Sequence, residues 1–381
     1  MAGKMIRRLG GLLSGLALTG GAGTAWADYQ LNMTQGVTNI SHEVYDMHML
    51  VLWIVTIVGI GVFGVIIYSM INHRKSKGAV AAHFHENTTI EVIWTAIPLI
   101  ILVAIAVPAT KTLLAMEDTS NSDLSIKVTG LQWKWKYDYL DEGISFISAL
   151  DAKSNEARQR DSGIDPKSVE HYLRNVDHPI VIPIKKKVRF LITSQDVIHS
   201  WWVPAMAVKR DAIPGYINES WTRVEEPGIY RGQCAELCGK DHGFMPIVVN
   251  AVTQPEYDQW VASQKMAMAE AQAASGKTLS LGELMAKGET LFNSTCAACH
   301  MANGAGIPGV FPALAGSKIA TGPVAAHLDI VIHGSKKNPA MAAFGQQLND
   351  ADLAAIITYE RNAWGNDTGD AVQPADVKAA R

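Results

Sequence analysis

The chain has 381 residues, of which 48% are hydrophobic and 18% are charged, and its formal net charge at pH 7 is −3. This near-neutral balance provides no strong positive field, so nucleic acid is not expected as a partner. The length is too great for one small module and predicts roughly two or three structural units.

The N-terminal segment has the pattern of a secretory signal. Three basic residues among the first eight precede an apolar stretch, which is followed by Ala25-Trp26-Ala27, a small-residue cleavage pattern. We therefore expect residues 1–27 to be a signal peptide and the mature chain to begin at Asp28. A retained membrane anchor is the alternative.

Two further segments are long and apolar enough to cross a bilayer. Neither 47–71 nor 92–110 contains Asp, Glu, Lys or Arg, and a basic loop at 73–77 lies between them. Because basic loops remain on the cytoplasmic side, the pattern predicts a hairpin in the inner membrane of a bacterium, with both termini in the periplasm. Residues 28–118 would then comprise an external lead and this hairpin.

Residues 119–252 are expected to form a domain of β-strands. Apolar residues alternate with others at 125–130 and at 180–184, which is typical of strands. A third strand-like run, at 187–193, leads to His199. That histidine is therefore expected in a neighbouring loop of the same domain.

Soft metal ligands are concentrated in one short segment of this domain. Cys234, Cys238, His242 and Met245 offer two thiolates, an imidazole and a thioether, and His199 would add a second imidazole. Sulfur ligands mixed with imidazole favour copper. The alternatives are a disulfide and a zinc site. A disulfide leaves His242 and Met245 without a role, and zinc sites seldom include a thioether.

These side chains match the needs of two copper ions bridged by two thiolates. Each ion then requires one imidazole and one weak axial ligand. The count is completed by one oxygen, most simply a backbone carbonyl between the cysteines. Such a rigid centre changes little when it gains an electron, so it suits electron transfer better than chemistry on a substrate.

A helical linker at 253–279 precedes a second cofactor motif. Cys296-x-x-Cys299-His300 has the spacing of a c-type haem attachment site. In such a site the two cysteines hold the haem covalently and the histidine binds the iron. Zinc binding and a redox dithiol are the alternatives.

The second axial ligand of this haem is expected from farther along the chain. Met341 lies in a loop just before the last predicted helix, and His327 and His333 are its rivals. A methionine ligand implies a relatively high potential. The motif belongs to a predicted all-α domain at 280–365, and the polar residues 366–381 are expected to form a disordered tail.

These motifs resemble those of subunit II of the haem–copper cytochrome c oxidases, with a class I cytochrome c domain fused at the C-terminus, as in the caa type. The resemblance extends over roughly residues 40 to 250, and its segments are 91–98, 130–135, 197–201, 211–215 and 233–246. It implies a multidomain membrane protein with a two-helix transmembrane hairpin, an all-β cupredoxin-like Greek-key barrel and an all-α cytochrome c domain.

The resemblance also implies roles for individual residues. The ligands of the binuclear copper centre CuA would be the side chains of His199, Cys234, Cys238, His242 and Met245 and the backbone carbonyl of Glu236. The Glu236 carboxylate would bind magnesium or manganese at the contact with subunit I. Trp133 would be the exposed indole through which electrons reach copper, and Glu91 would lie at the mouth of a proton channel. A packing aromatic and an interfacial acid are the alternatives for these two residues.

The implied function is that of subunit II of a cytochrome c oxidase. Electrons from cytochrome c would pass through haem c and CuA to haem in subunit I, where oxygen is reduced to water and protons are translocated. The implied partners are subunits I and III, cytochrome c and the lipid bilayer. A stand-alone membrane-anchored electron carrier or a copper-delivery module would use the same cofactor motifs and is the alternative.

Overall fold

The structure is a computed structural model that describes residues 32–81, 83, 85–159, 162–274, 278–338, 341–345 and 347–381. The predicted signal peptide lies outside the described residues. Residues 35–381 form one compact unit, which contains a helical hairpin, a β-domain and a C-terminal group of helices.

Two long helices form the hairpin. Helix α1 (Asn39–Asn72) and helix α2 (Thr88–Glu117) expose apolar side chains along most of their length, and both are long and apolar enough to cross a membrane. Each begins before the predicted span, because its first turn is capped ahead of the apolar segment. At the start of α1, the Thr38 hydroxyl accepts a hydrogen bond from the backbone of Ser41, and the Ser41 hydroxyl accepts one from the backbone of Thr38.

Ten strands of the described chain form two five-stranded sheets. They are β1 (Leu124–Leu131), β2 (Lys134–Tyr139), β3 (Ile144–Ser148), β4 (Ile180–Pro183), β5 (Val188–Ser194), β6 (His199–Val203), β7 (Val208–Ala212), β8 (Asn218–Thr222), β9 (Gly228–Cys234) and β10 (Pro246–Val252). The strand orders are β3-β2-β1-β5-β8 and β4-β10-β9-β6-β7. Strands β1 and β5 are parallel, as are β4 and β10, and the other pairs are antiparallel.

The two sheets enclose one continuous apolar core. In β5 the fully buried side chains of Val188, Phe190 and Ile192 alternate with partly exposed ones, the period of two of a strand with one buried face. Polar groups in this core are paired between the sheets. The Tyr139 hydroxyl donates to the carbonyl of Val181 at 2.7 Å, and the Trp201 indole donates to the Tyr137 hydroxyl at 3.2 Å. These bonds fix how the sheets align.

The described residues between β3 and β4 (151–159 and 162–178) form a folded excursion, which we call the excursion at 151–178. It contains helix α3 (Ala152–Ala157), and a β-bridge joins its two ends. The Asn175 side chain accepts a hydrogen bond from Arg231 of β9 at 3.2 Å. The excursion is therefore attached to the second sheet, although the sequence indicated no role for it.

Six helices follow the β-domain in the described part of the chain. They are α4 (Gln254–Ala274), α5 (Leu281–Thr295), α6 (Ala297–His300), α7 (Val324–His333), α8 (Asp350–Asn362) and α9 (Pro374–Ala380). Helix α5 crosses α8 at Gly288, where a Cβ atom would lie 2.1 Å from the carbonyl oxygen of Ala355, so only glycine permits this close crossing. The apolar side chains form two separate buried clusters, one around Leu353 and one around Phe292.

The C-terminal segment 366–381 is ordered, and the prediction of a disordered tail is therefore wrong. Val372 and Val377 are buried in the same cluster as α8. The guanidinium of Arg361 on α8 also pairs with Asp370. Two separated valines in a polar segment show no periodicity, and this is why the sequence pattern did not indicate the packing.

Candidate metal centre and haem attachment site

The predicted copper ligands converge beside the start of β6. His199 is the first residue of that strand, and the others lie in the connection between β9 and β10 (234–245), which we call the cysteine loop. The loop is held to β6 by a backbone hydrogen bond of 3.0 Å from Ala235 to Ser200, and it ends in a short 3-10 turn, His242–Phe244. The strands therefore position both halves of the site.

The predicted ligand side chains are in mutual contact around the sulfur of Cys238. That sulfur lies 3.8 Å from the sulfur of Cys234, 3.5 Å from Nδ1 of His242 and 3.5 Å from the sulfur of Met245. The ligand atoms of His199, Cys234 and Cys238 all lie within 4.8 Å of one another, so these three could hold a metal ion. Both thiols are free. The structure thus brings all five side chains to one place.

The ring of His199 is buried and has one unpaired nitrogen. Its Nε2 donates to the carboxylate of Asp196 at 2.8 Å, whereas Nδ1 is buried without a hydrogen-bond partner. Burial alone would lower the pKa of His199, but the carboxylate of Asp196 and the nearby sulfur of Cys234 together outweigh this effect and raise the pKa. A buried nitrogen with no partner is rare in proteins, and a metal ligand whose second nitrogen is held by a carboxylate has this arrangement.

Gly130 explains how the His199 ring fits against the neighbouring sheet. A Cβ atom at Gly130 would lie 2.7 Å from Cδ2 of His199, closer than carbon atoms approach. The edge of the ring also faces Trp135, with 5.9 Å between the ring centroids. The position of the imidazole is therefore fixed from three sides before any metal binds.

The two cysteines are inequivalent in the metal-free chain. The hydrogen bond from Cys238 lowers the pKa of Cys234 to about 3, and the same contact raises the pKa of Cys238. The carbonyl oxygen of Glu236 lies 3.4 Å from the Cys234 sulfur. Two sulfur atoms and a backbone oxygen are therefore presented together, a donor set that suits a soft metal ion.

The magnesium or manganese site expected at Glu236 is not supported. The Glu236 side chain is exposed. Among the described residues, the cluster that could hold a metal consists of His199, Cys234 and Cys238. A lone exposed carboxylate does not build a site for a hard cation, which needs several oxygen ligands.

Trp133 contacts the cysteine loop, but it is half-buried and not the exposed indole that was expected. Its Nε1 donates to the carbonyl of Cys238 at 3.1 Å, and Gln132 donates to the same carbonyl at 3.0 Å. Two donors on one carbonyl fix the backbone between the sulfur ligands. Trp133 therefore supports the loop as well as lying beside it.

The haem attachment motif lies on one helical turn. Cys296 caps α5 and Cys299 lies in α6, and burial raises the pKa of both thiols. His300 is buried, and its Nδ1 donates to the carbonyl of Pro312 at 2.9 Å. Because the carbonyl can only accept, Nε2 carries a free lone pair, which is the state needed to bind iron.

The three candidates for the second axial ligand have different surroundings. Met341 is half-buried against the cluster that includes Leu328. His327 is buried with its Nε2 2.8 Å from a carboxylate oxygen of Glu360. His333 is exposed beside an aspartate of its own helix. Met341 is thus the apolar candidate, whereas His327 shares the arrangement of His199, with Nε2 on a carboxylate and Nδ1 buried without a hydrogen-bond partner.

Glu91 lies in the first turn of α2, at the end that follows the connection between the two membrane helices. Its side chain is exposed. The helix is capped by Asn87, which accepts a hydrogen bond from the backbone of Ile90 at 3.2 Å. An acidic residue is favourable at this helix end, whether or not it also handles protons.

Sequence reasoning missed several residues that touch the site. Asp196 could have been recognised, because it lies three residues before His199. Arg158, which bonds to Asp241 of the cysteine loop, is 83 residues away and gave no signal. Lys240 could be recognised only once the fold had brought it to the carbonyl of Ala298.

Family models match most of the chain. Residues 26–112 match "Cytochrome C oxidase subunit II, transmembrane domain", and residues 124–252 match "Cytochrome C oxidase subunit II, periplasmic domain". The probable cytochrome c oxidase subunit 2 of Rickettsia bellii is 42% identical over 237 residues, which cover 62% of this chain and 84% of that relative. The chain belongs to the cytochrome c oxidase subunit II family. The resemblance and the fold class inferred from the sequence are confirmed.

The subunit II family match is followed by a separate cytochrome match. Residues 283–359 match "Cytochrome C oxidase, cbb3-type, subunit III". Cytochrome c oxidase subunit 2 of Cereibacter sphaeroides is 35% identical over 58% of this chain and 76% of its own length. The periplasmic domain of subunit II (CoxB) of Bradyrhizobium japonicum is 39% identical, covering 39% of this chain and 98% of that chain, with a TM-score of 0.34. Family membership implies copper, and the cytochrome match implies haem.

Proposed function

We propose that this chain is the electron-accepting subunit of a caa-type cytochrome c oxidase, in which electrons from cytochrome c pass through haem c and CuA to haem in subunit I. Oxygen reduction to water and proton translocation would occur in the assembled oxidase. The observation that carries the proposal is the convergence of two thiols, a thioether and two imidazoles, with one buried unpaired nitrogen on His199.

The donor set fits a binuclear copper centre. The holding groups would be the side chains of His199, Cys234, Cys238, His242 and Met245 and the carbonyl of Glu236. When bound, such a centre supplies a one-electron carrier that needs little rearrangement. The task of the protein is to keep these groups fixed, and the hydrogen bond that His199 donates to Asp196 does so for one imidazole.

The residues of the C-terminal domain fit a covalently attached haem. Cys296 and Cys299 would form the two thioether bonds, and His300 would offer Nε2 to the iron because its Nδ1 is held by Pro312. Met341 would be the second axial ligand. A thioether in that position favours the reduced state and raises the potential.

Two lysines join the cytochrome domain to the copper domain. The Lys240 amine donates to the carbonyl of Ala298 at 3.1 Å, and Ala298 lies between the two haem cysteines. The Lys134 amine is 5.0 Å from the centre of the Phe344 ring. Lys134 is only 7% exposed, and burial lowers its pKa. Both contacts support direct transfer between the two cofactors, with Trp133 beside the path.

The membrane arrangement is also part of the proposal. The hairpin of α1 and α2 would lie in the bacterial inner membrane, with both termini and both cofactor domains in the periplasm. Subunits I and III would contact this hairpin, and cytochrome c would donate at the periplasmic face. Glu91, exposed at the start of α2, would face the mouth of a proton channel.

Metal content and spectra of the purified complex test the proposal. We expect two copper ions and one haem c per chain in addition to the metals of subunit I, near-infrared absorption and an EPR signal from an electron shared by the two copper ions. Zinc in this chain, or one copper ion beyond that of subunit I, would contradict the copper assignment. A free-standing carrier would purify without a large multi-span haem protein, whereas the proposed subunit should purify with one.

A further inference from the structure

The excursion at 151–178 contacts the cysteine loop directly. Helix α3 carries Arg158 at its C-terminal cap, and the Arg158 side chain reaches Asp241 in the loop. The excursion is itself anchored, since a β-bridge joins its ends and Asn175 accepts a hydrogen bond from Arg231. A fixed element of the fold is therefore in contact with the ligand-bearing loop.

The contact has the geometry of a strong ion pair. Nη1 and Nη2 of Arg158 donate to the two carboxylate oxygens of Asp241 at 3.1 and 3.2 Å, and Nε donates to Asn155 at 2.8 Å. The side chains of Arg158 and Asp241 are 15% and 6% exposed. A two-point bond between largely buried partners is stronger and more directional than a surface ion pair.

Arg158 holds the cysteine loop on both sides of a proposed ligand. Asp241 directly precedes His242, and Cζ of the Arg158 guanidinium lies over the Phe244 ring, 4.4 Å from its centre. Phe244 in turn directly precedes Met245, and its backbone N–H donates to the carbonyl of Asp241 at 2.9 Å. The Arg158 guanidinium therefore contacts both the residue before His242 and the residue before Met245, and these two are proposed copper ligands.

We infer that Arg158 is a positioning residue for the copper centre and that the excursion at 151–178 serves as a brace for the cysteine loop. The inference rests on the proposed function, since it concerns how His242 and Met245 are held for copper. Removing Arg158 would leave the Asp241 carboxylate buried without its partner and would release Phe244. Loss of a residue that positions a metal ligand typically lowers metal affinity by about ten- to hundred-fold.

The test compares three variants in the purified oxidase complex. Arg158→Met removes the charge but keeps a long apolar side chain, and Arg158→Lys keeps the charge without the two-point bond. Lys153→Gln removes an exposed cation from the same helix and is the matched control. The measurements are copper loss to a chelator and the hyperfine pattern of the copper EPR signal.

We expect copper loss from Arg158→Met to be about ten-fold faster than from the control, with an altered hyperfine pattern. Arg158→Lys should fall between the two. If Arg158→Met does not accumulate, Arg158→Lys decides the test through the same two measurements. A rate within two-fold of Lys153→Gln together with an unchanged EPR pattern would overturn the inference. A wild-type complex without a shared-electron copper signal would instead overturn the proposed function.

Discussion

The copper domain and the cytochrome domain prepare their cofactor sites in different ways. In the β-domain, the cupredoxin-like barrel expected from the sequence, three donor atoms already lie 3.5 to 3.8 Å from the Cys238 sulfur, and one continuous core supports them. In the cytochrome domain His300 bonds to Pro312, Met341 packs against α7, and the buried side chains form two separate clusters. A small metal ion can occupy a preformed gap between side chains, whereas a large flat cofactor has to complete the core. The barrel should therefore fold without copper, and the helices should depend on haem.

The largest expected effect is the loss of copper from Cys238→Ser. This sulfur contacts three other donors, so its removal takes away a bridging ligand and the hydrogen bond that lowers the pKa of Cys234. Metal analysis should find no binuclear copper, and electron transfer to oxygen should cease while haem c remains reducible. The barrel should stay folded by circular dichroism. Normal turnover in this variant would refute the copper assignment.

The second expected effect is on the cytochrome domain alone. Replacing both Cys296 and Cys299 by serine should prevent covalent attachment of haem and leave the domain without the cofactor that is expected to complete its core. Limited proteolysis should then cleave the chain after α4, while the copper EPR signal persists. A protease-resistant C-terminal domain in this double variant would contradict the comparison between the two domains.

The third expected effect is a change in haem potential. Met341→Ala should lower the midpoint potential of haem c, because loss of a thioether ligand removes the preference for reduced iron. A potentiometric titration followed at the haem absorption bands measures it. An unchanged potential would direct attention to His327 or His333, in which case replacing the true ligand of these two by alanine should produce the shift.

Local sequence spacing predicted the donors, and tertiary packing determined what supports them. Four of the five proposed copper ligands lie within a dozen residues, so their chemistry could be recognised before any fold was known. The partner of Asp241 comes from 83 residues earlier, and the partner of Ala298 from 58 residues earlier. Such pairs carry no periodicity and no motif, because either member alone is an ordinary charged or small residue.

The sequence predicted the burial of individual side chains less well than it identified candidate ligands. Trp133 was expected to be exposed, but its indole is half-buried because it donates to the Cys238 carbonyl. The segment after α8 was expected to be disordered, but Val372 and Val377 are buried. In both cases one or two contacts made by a distant part of the chain outweigh the local polarity of the segment.

The fourth expected effect concerns helix packing in the cytochrome domain. Gly288→Ala would place a Cβ atom 2.1 Å from the Ala355 carbonyl and 2.7 Å from Cβ of Tyr359, so α5 and α8 would have to separate. We expect a loss of about 1–3 kcal/mol in the free energy of unfolding of this domain. Gly282→Ala is the control on the same helix, since a Cβ atom there meets nothing within 4 Å. Thermal unfolding followed at the haem absorption bands should separate the two variants, and equal midpoints would show that the helices do not cross as described.

The smallest expected effect tests how rigidly the barrel holds its site. Gly130→Ala would place a Cβ atom 2.7 Å from the His199 ring, and the ring would have to rotate away from Asp196. Because the other donors are held by the cysteine loop, copper should still bind, with a changed EPR hyperfine pattern but a nearly unchanged unfolding midpoint. Gly243→Ala, where a Cβ atom meets nothing within 4 Å, should leave the spectrum unaltered. A wild-type copper EPR spectrum for Gly130→Ala would mean that the His199 imidazole is free to move. The copper site would then be less preformed than its geometry indicates, and the contrast with the haem-dependent domain would be weaker.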